Sequence, residues 1–314
     1  MSGPATSPEY LPLRVAHAEG FFARQGLAVT LKTTRAESGA AEALAQAQVD
    51  LAATSLEALL IFGSRGGAPI PRLVFGLTAA PPCALLVPSA RATTVRSIND
   101  LPGTRVGVTA PGAPEHAWFG WLLARAGITV AQVWVVSLGT RGLAGAIEAG
   151  EVHAGLAGEP LATRLVREGR ATVLADFRNP EAVAQTLGGP TVNAAVFVRG
   201  DRRPGDTVLT AFARALLEAE RRIKTAPAEA LASKLPARVV TLGNDFQARL
   251  EAARGMYLPE GRVSTEQLRR TIMLIRAHLP LPAAVRLPRP EEMLHAEPLE
   301  RALKPAGGGE GGGG

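Results

Sequence analysis

The stretch FFARQGLAV at residues 21–29 recurs as LLARAGITV at residues 122–130, an offset of 101 positions. A second pair, ALAQAQVD at residues 43–50 and AIEAGEVH at residues 146–153, recurs at an offset of 103. Both copies have the same order of helix, glycine, strand, helix and short strand. Two matches at nearly one offset indicate that a structural unit is used twice.

Hydrophobic periodicity predicts the elements of these units. Residues 13–27 have the pattern of a helix closed by Gly26, which can adopt the left-handed conformation that ends helices. The alternation in residues 28–33 predicts a strand, and Ser38 is a suitable N-cap for a helix that runs to residue 48. The other predicted elements are strands at 50–54, 71–79, 83–88 and 194–198, and helices at 55–64, 204–225, 227–235, 243–256 and 264–279.

Strands that alternate with helices are typical of α/β proteins built from βαβ units with parallel sheets. Two such units predict two α/β lobes. The chain would cross between the lobes near residues 80–84 and 189–193, forming a two-segment hinge beside a ligand cleft. The predicted boundaries are 1–81 for the N-terminal part of lobe one, 82–189 for lobe two, 190–305 for the helix-rich C-terminal part of lobe one, and 306–314 for a disordered glycine-rich tail.

The composition argues against several classes of protein. The net charge is +6, but the arginines are scattered and are not interleaved with aromatic residues, so we expect no nucleic-acid partner. No run of about 20 apolar residues is present, so no segment is expected to span a membrane. The single Cys83 excludes an intrachain disulfide, and neither the cysteine nor the histidine spacing suits a metal. Hydrolase, P-loop and metalloprotease motifs are missing, so we expect a binding protein without a cofactor rather than an enzyme.

Five segments, taken in order, resemble the substrate-binding proteins of ABC transporters of the NMT1/THI5-like group, which includes nitrate, sulfonate and taurine binders. The segments are VAHAEGFFARQGLAV at 15–29, AQAQVDLA at 45–52, INDLPGTRVGV at 98–108, AGEVHAG at 149–155 and GEPLAT at 158–163. The resemblance implies a type II periplasmic-binding-protein fold that holds a small-molecule ligand between two lobes. It also implies a monomer in the periplasm or at the cell surface, which delivers its ligand to a membrane permease with a separate ATPase subunit.

The chain departs from that family pattern at its beginning. Members of the family begin with an export signal and a strand, whereas residues 1–9 are polar and contain no apolar signal segment. We therefore expect a truncated chain in which the first strand is missing. In addition, pyrimidine-synthase relatives carry a cluster of cysteines, which a chain with only Cys83 does not have.

Ligands of open α/β sheets bind beyond the C-terminal ends of strands, close to helix N-termini. Ser55 and Ser38 could equally be ordinary N-caps, and Trp118 could equally be a core residue. Glu159 would either compensate a helix dipole or accept a hydrogen bond from a ligand amine or ring N–H. The candidate ligand-binding residues are Ser38, Gly39, Thr54, Ser55, Pro111, Gly112, Ala113, Trp118, Glu159 and Asn193.

An anionic solute such as a sulfonate, nitrate or carboxylate would suit the helix ends, whereas a heteroaromatic solute would suit Trp118 and Glu159. The expected function is the capture of such a solute for an ABC importer. Two alternatives stay open: an enzyme of the pyrimidine-synthase type, and a ligand-sensing module without transport.

Overall fold

The structure is a computed structural model, and it describes residues 1–62, 69–109, 115–240, 246–279, 281 and 287–305. Its strands are β1 Leu51–Ser55, β2 Arg72–Gly76, β3 Cys83–Pro88, β4 Arg105–Val108, β5 Trp134–Ser137, β6 Ala154–Gly158, β7 Ala171–Asp176 and β8 Ala194–Val198. Its α-helices are α1 Leu11–Ala18, α2 Phe21–Arg24, α3 Glu37–Ala45, α4 Leu56–Phe62, α5 Glu115–Arg125, α6 Gly139–Glu148, α7 Leu161–Arg167, α8 Pro180–Leu187, α9 Asp206–Thr225, α10 Ala228–Ala232, α11 Ala237–Val240, α12 Phe246–Ala253, α13 Thr265–His278, α14 Pro290–Met293 and α15 Glu297–Leu303. None of these described helices is both long and apolar enough to cross a bilayer.

The strands form two separate sheets. The first sheet has the order β1-β8-β2, and β8 is antiparallel to both neighbours. The second sheet has the order β5-β4-β6-β3-β7, in which β4 is parallel to β5 and β6 while β3 is antiparallel to β6 and β7. The prediction of parallel pairing is therefore confirmed for β5, β4 and β6 and wrong for the other pairs. The reason is that β3 and β8 follow the two crossings and enter each sheet against the direction of their neighbours.

The N-terminal residues lie inside the first half of the fold. Ser2 forms parallel bridges with both Thr33 and Ala53. The Ser2 amide donates to the Lys32 carbonyl at 2.9 Å, and the Gly3 amide donates to the Ala53 carbonyl at 3.0 Å. Residues 1–3 therefore fill, with a short bridge, the place expected for the first strand. The predicted strand at 28–33 is not assigned; the chain there has only the isolated bridge at Thr33.

Two predicted helix ends need correction. The predicted helix at 13–27 is two helices, α1 and α2, because Gly20 between them has a left-handed φ of 73°. Gly26 has a φ of 72°, as predicted. Ser38 is not the N-cap of α3, since that helix already begins at Glu37 and Ser38 is its second residue.

The two crossing segments between the sheets are hydrogen-bonded to each other. The Asn193 amide donates to the Thr78 carbonyl at 2.7 Å, and the Thr191 hydroxyl donates to the Ala79 carbonyl at 2.8 Å. These groups lie side by side in the region where the two-segment hinge is predicted. The lobe boundaries themselves stay a prediction.

One hydrophobic core continues from the first sheet into the second. Phe197 of the first sheet belongs to the same buried cluster as Leu85 and Leu156 of the second. Helix α13, near the C-terminus, packs against α5 on the second sheet. Arg270 of α13 donates to the Leu187 carbonyl at 2.6 Å. Helix α15 packs against β2 of the first sheet, so the C-terminal region contacts both halves of the fold.

Candidate functional site

A cleft of about 1010 Å³ lies between the two sheets. Residues 4–9 and the first turns of α3 and α4 line it on the side of the first sheet. Residues 81–83, the beginnings of α5 and α6, and residues 158–167 line it on the side of the second sheet. Helix N-termini from both sides therefore open onto one cavity, and its volume suits a small organic solute.

Glu9 is buried in the cleft wall and is held by two side chains. The Ser7 hydroxyl donates to its Oε2 at 2.7 Å, and the Asn193 amide group donates to its Oε1 at 2.9 Å. Burial, followed by the negative charge of Glu37, raises the pKa of Glu9 to about 8. Glu9 is therefore mainly protonated at neutral pH.

Glu37 is the first residue of α3 and faces the same cavity. Its carboxyl group accepts hydrogen bonds from the hydroxyls of Tyr10 and Ser55. Burial raises the pKa of Glu37, although both donors act in the opposite direction. Ser55 also accepts a hydrogen bond from the Ala58 amide at 3.2 Å, so it is the N-cap of α4 as the sequence suggested.

Glu57 is the second residue of α4, and it lines the cleft. Its Oε2 atom is buried and has no hydrogen-bond partner among the residues that the structure describes. Burial raises the pKa of Glu57 to about 8, and the charges of Glu37 and Glu115 add to the shift. Leaving a buried polar atom without a partner costs about 1–3 kcal/mol, so a donor from a ligand would be stabilising here.

Two glutamates line the cleft on the side of the second sheet. Glu115, the first residue of α5, accepts a hydrogen bond from the Thr109 hydroxyl at 2.7 Å. Glu159, which precedes α7, accepts from the hydroxyl and the amide of Thr163 at 2.8 and 3.3 Å. Burial raises the pKa of Glu159 even though Thr163 and Arg178 lower it. Both carboxylate oxygens of Glu159 accept hydrogen bonds from Thr163 in the first turn of α7. These contacts favour a role in compensating the dipole of α7 over a hydrogen bond with the ligand.

The helices that open onto the cleft thus carry carboxyl groups of their own. Glu37, Glu57 and Glu115 lie in the first turns of α3, α4 and α5. A helix N-terminus carries a partial positive charge, so each of these carboxyl groups lies in the turn whose charge would otherwise favour an anionic ligand. Helix α6 differs, because it opens with Gly139, Thr140 and Arg141.

The positive charges of the cleft lie at its exposed rim. Arg164 pairs with Glu148 at 3.1 Å and with Glu168 at 3.3 Å. Arg141 is exposed and has no ion pair with any described residue. The interior of the cleft is therefore acidic although the whole chain carries a net charge of +6.

The structure places four of the predicted site residues in the cleft lining: Ser38, Ser55, Glu159 and Asn193. Trp118 is only 2% exposed and belongs to the hydrophobic core, so the prediction that it contacts the ligand is wrong. The cause is that Trp118 lies on the apolar face of α5, which packs inward.

Two further predicted residues, Thr54 and Gly39, contact the elements that line the cleft without lining it themselves. Thr54 is fully buried, and its hydroxyl donates to the Glu37 carbonyl at 2.9 Å. Gly39 is inside α3, where an added Cβ would lie 3.1 Å from Thr34. Both are absent from the cleft lining. The predicted residues Pro111, Gly112 and Ala113 lie outside the described residues.

Sequence reasoning missed four of the glutamates in the cleft: Glu9, Glu37, Glu57 and Glu115. Three of them are within two residues of the start of a helix. Acidic residues in a first turn are common in any helix, so they show no functional signal until the helices are seen to share one cavity. Glu9 precedes the first α-helix and has no recognisable motif around it.

Metal binding and thiol chemistry find little support in the described part of the chain. No group of three or more histidine, cysteine or acidic side chains there is arranged to hold a metal ion. Cys83 lines the cleft, but burial and then the charge of Glu115 raise the pKa of its thiol well above the usual value. The thiol is therefore protonated at neutral pH.

A cleft between two α/β sheets joined by paired crossings defines the fold of the periplasmic binding proteins. This confirms the predicted fold class. The chain belongs to the NMT1/THI5 like family, whose model matches residues 7–230. The resemblance inferred from the sequence is thus confirmed. No curated protein matches the chain.

Solved structures share this fold over nearly the whole chain. The periplasmic aliphatic sulphonate binding protein of Escherichia coli has 16% identity and a TM-score of 0.69, covering 90% of this chain and 93% of that protein. The periplasmic nitrate-binding protein of Synechocystis PCC 6803 has 14% identity and a TM-score of 0.63, covering 96% and 86%. A desulfurization enzyme has 16% identity and a TM-score of 0.62, covering 96% and 98%. At these identities the similarity establishes the fold alone.

Proposed function

We propose that the protein is the substrate-binding component of an ABC importer, which captures a small solute and delivers it to a permease. The cleft of about 1010 Å³ between the two sheets is the observation that carries this proposal. We place the protein in the periplasm or at the cell surface, the compartment of its sulphonate-binding neighbour. We also propose that the lobes close about the paired crossings at 80–84 and 189–193.

We propose further that the solute has N–H donors and a positive charge, rather than the anionic charge expected from the sequence. The first turns of the helices that would attract an anion carry Glu37, Glu57 and Glu115. A protonated amine or amidine would donate to these carboxyl groups, including the unpartnered Oε2 of Glu57. Ser38, Ser55 and Asn193 would supply neutral hydrogen bonds beside them.

The binding of such a solute is expected to release protons. Glu9 and Glu57 have pKa values of about 8, so each is mainly protonated at pH 7 before a cation binds. A cation favours the ionised carboxylate and therefore lowers these pKa values when it binds. Affinity should rise as the pH rises from about 6.5 to 8.5, provided that the solute keeps its own charge. A neutral solute would show no such slope.

A thermal-shift screen tests both parts of this proposal. The panel should contain primary amines, guanidines and aminoheterocycles on one side, and taurine, methanesulfonate and nitrate on the other. A ligand at 100 times its Kd adds about 2.7 kcal/mol, which raises the melting temperature by several degrees. Hits confined to sulfonates or nitrate would contradict the ligand class, whereas no hit from any class would contradict the binding function.

Two variants locate the site of any hit. Glu57→Gln removes the carboxylate in the cleft, and the loss of a charged hydrogen bond should weaken binding by about 1.5–3 kcal/mol. Glu218→Gln is the matched control, because Glu218 is an exposed residue of α9 that pairs with Arg24 outside the cleft. Equal affinity in both variants would place the ligand elsewhere.

An enzyme is the second candidate, because a desulfurization enzyme shares the fold and because Cys83 lines the cleft. A cysteine nucleophile acts as its thiolate, and such residues have a lowered pKa. The pKa of Cys83 is instead raised by burial and by nearby glutamates. This favours the binding protein, and recovery of every hit chemically unchanged after long incubation would support it.

A further inference from the structure

Residues 4–9, which we call the wall segment, line the cleft with all members except Ala5 and form no strand or α-helix, although a short 3-10 helix begins at Pro8. Their own backbone hydrogen bonds are few: the Ser7 amide donates to the Pro4 carbonyl at 3.2 Å, and the Leu11 amide donates to the Pro8 carbonyl. Side-chain donors from other elements therefore add to what holds this backbone in place. Arg14, from α1, donates to the Pro4 carbonyl at 2.5 Å and to the Gly3 carbonyl at 3.1 Å. This contact fixes the first part of the wall segment.

The rest of the wall segment is held from the C-terminal third of the chain. Arg249, a buried residue of α12, donates to the Thr6 carbonyl at 3.3 Å across 243 positions of sequence. Tyr257, just after α12, donates through its hydroxyl to the Pro8 carbonyl at 2.8 Å. Side-chain donors therefore reach the carbonyls of the alternate residues Pro4, Thr6 and Pro8, and the two long-range donors come from α12 and the segment that follows it.

Helix α12 also reaches across the cleft. Glu251 Oε2 lies 3.8 Å from Arg167 Nη1, and Arg167 belongs to α7, which packs on the second sheet. The other oxygen of Glu251 accepts a hydrogen bond from Gln247 at 3.1 Å, which directs the carboxylate. Both Arg167 and Glu251 line the cleft at its rim, with side chains 67% and 43% exposed.

We propose that α12 couples closure of the cleft to the position of its wall. Its outer residue Glu251 makes the contact with Arg167 on the opposite lobe, and its inner residue Arg249 holds the wall segment. Arg249 and Tyr257 are thus positioning residues for the ligand site. The inference rests on the two-lobed cleft of the proposed function, but it does not depend on which solute binds.

Charge reversal in the ligand-free protein tests this coupling. Arg167→Glu and Glu251→Arg each place like charges at the rim, and the double variant restores the pair with its polarity exchanged. We expect each single variant to shift the ratio of compact to open molecules about two- to fivefold, the range for exposed ion pairs. Small-angle scattering should show the larger radius. Amide hydrogen exchange at Ser7 and Tyr10, whose amides donate to the Pro4 and Ser7 carbonyls at 3.2 and 3.4 Å, should become faster by a similar factor.

The decisive control reverses an ion pair of similar exposure within one lobe. Glu218→Arg breaks the pair with Arg24, whose side chains are 41% and 52% exposed, and it should leave both measurements unchanged. Restoration of wall-segment exchange in the double variant supports the coupling. If Glu251→Arg gives the same exchange as Glu218→Arg, or if the double variant restores nothing, the proposal is overturned.

Tyr257→Phe provides a second test, since it removes only the donor to Pro8. Exchange at Leu11, whose amide donates to the same Pro8 carbonyl, should accelerate while the scattering radius stays unchanged, because the rim pair is intact. Unchanged exchange would show that Tyr257 does not position the wall. A failed ligand screen alongside a positive charge-reversal result would remove the solute proposal and leave the coupling standing.

Discussion

The two repeats of this protein share a backbone turn but differ in what they present to the cleft. After α3, the Gln48 amide donates to the Ala43 carbonyl at 2.9 Å, and Ala47 has a φ of 56°. After α6, the Glu151 amide donates to the Ala146 carbonyl at 2.9 Å, and Gly150 has a φ of 68°. The residues correspond at the offset of 103 found in the sequence.

The difference lies at the other end of the same helices. At that offset Glu37 and Ser38 of α3 correspond to Thr140 and Arg141 of α6. One copy therefore brings an acid to the cleft, and the other brings a base. The duplication determines where side chains enter the cavity, whereas the individual residues determine its charge. Four predictions test this separation of backbone and charge.

The largest effect is expected from Glu57→Gln, which removes an acid from the first side of the cleft. The pKa of Glu57 in the folded protein is about 8, above its usual value of 4.5. Between pH 4.5 and pH 8, Glu57 is therefore protonated in the folded protein and ionised in the unfolded chain. Stability therefore falls as the pH rises through this window. Because glutamine does not titrate, the variant should be more stable by about 1–3 kcal/mol at pH 8 and nearly unchanged at pH 4.5.

Urea unfolding at the two pH values measures this difference. The control is Glu218→Gln, which alters a side chain that is 41% exposed and should change the free energy of unfolding by no more than about 0.5 kcal/mol. If Glu57→Gln changes the free energy of unfolding equally at both pH values, the pKa of Glu57 is not raised in the folded protein.

Gly150→Ala should have the next largest effect. Its φ of 68° lies in the left-handed region, and an added Cβ would approach Ala90 to 3.3 Å. We expect a loss of about 1–2 kcal/mol, since an L-residue is strained in this conformation. Thermal unfolding measures it, and an unchanged melting temperature would show that the turn relaxes.

Ala47→Gly makes the reverse change in the other copy. Ala47 is exposed and has the left-handed φ of 56° without being glycine. Relief of this strain, offset by the added freedom of glycine in the unfolded chain, should stabilise the protein by about 0.5–1 kcal/mol. If Ala47→Gly raises the melting temperature and Gly150→Ala lowers it, the two turns are equivalent. If both variants change the melting temperature in the same direction, the turns are not equivalent.

Arg141→Ser should have the smallest effect, because it gives α6 the residue that α3 has at the same position. The exposed arginine opposes a cationic solute only through solvent, so its removal should strengthen binding by no more than about twofold at low salt. Calorimetric titration with a cation found in the screen, repeated at high salt, measures the change. A weakened affinity would mean that Arg141 binds an anionic part of the solute.

Much of the fold could be predicted from the sequence, because helix and strand periodicities repeat and because glycines mark the turns. Gly26 was predicted correctly on this basis. The position of residues 1–3 between Thr33 and Ala53 was not predictable, since three residues carry no periodicity. The antiparallel entry of β3 and β8 also depends on the path of the crossings, which local patterns do not record.

The candidate site was less predictable than the fold. Ser38 and Ser55 were found because strand ends and helix starts are visible in the sequence, and both line the cleft. Trp118 was misplaced because a helix start does not reveal which of its faces is buried. The acidic interior was missed since it is assembled from single glutamates far apart in the chain, each of which looks like an ordinary helix-start residue.

The carboxyl groups in the first turns of α3, α4 and α5 also affect competition from common inorganic ions. Helix ends that open freely onto a cavity collect whichever anion is abundant around them. In this protein the first turns of α3, α4 and α5 carry carboxyl groups, so phosphate, sulfate and chloride should compete poorly for the cleft. Titrations in phosphate buffer should therefore report nearly the same affinity as titrations in a buffer without inorganic oxyanions.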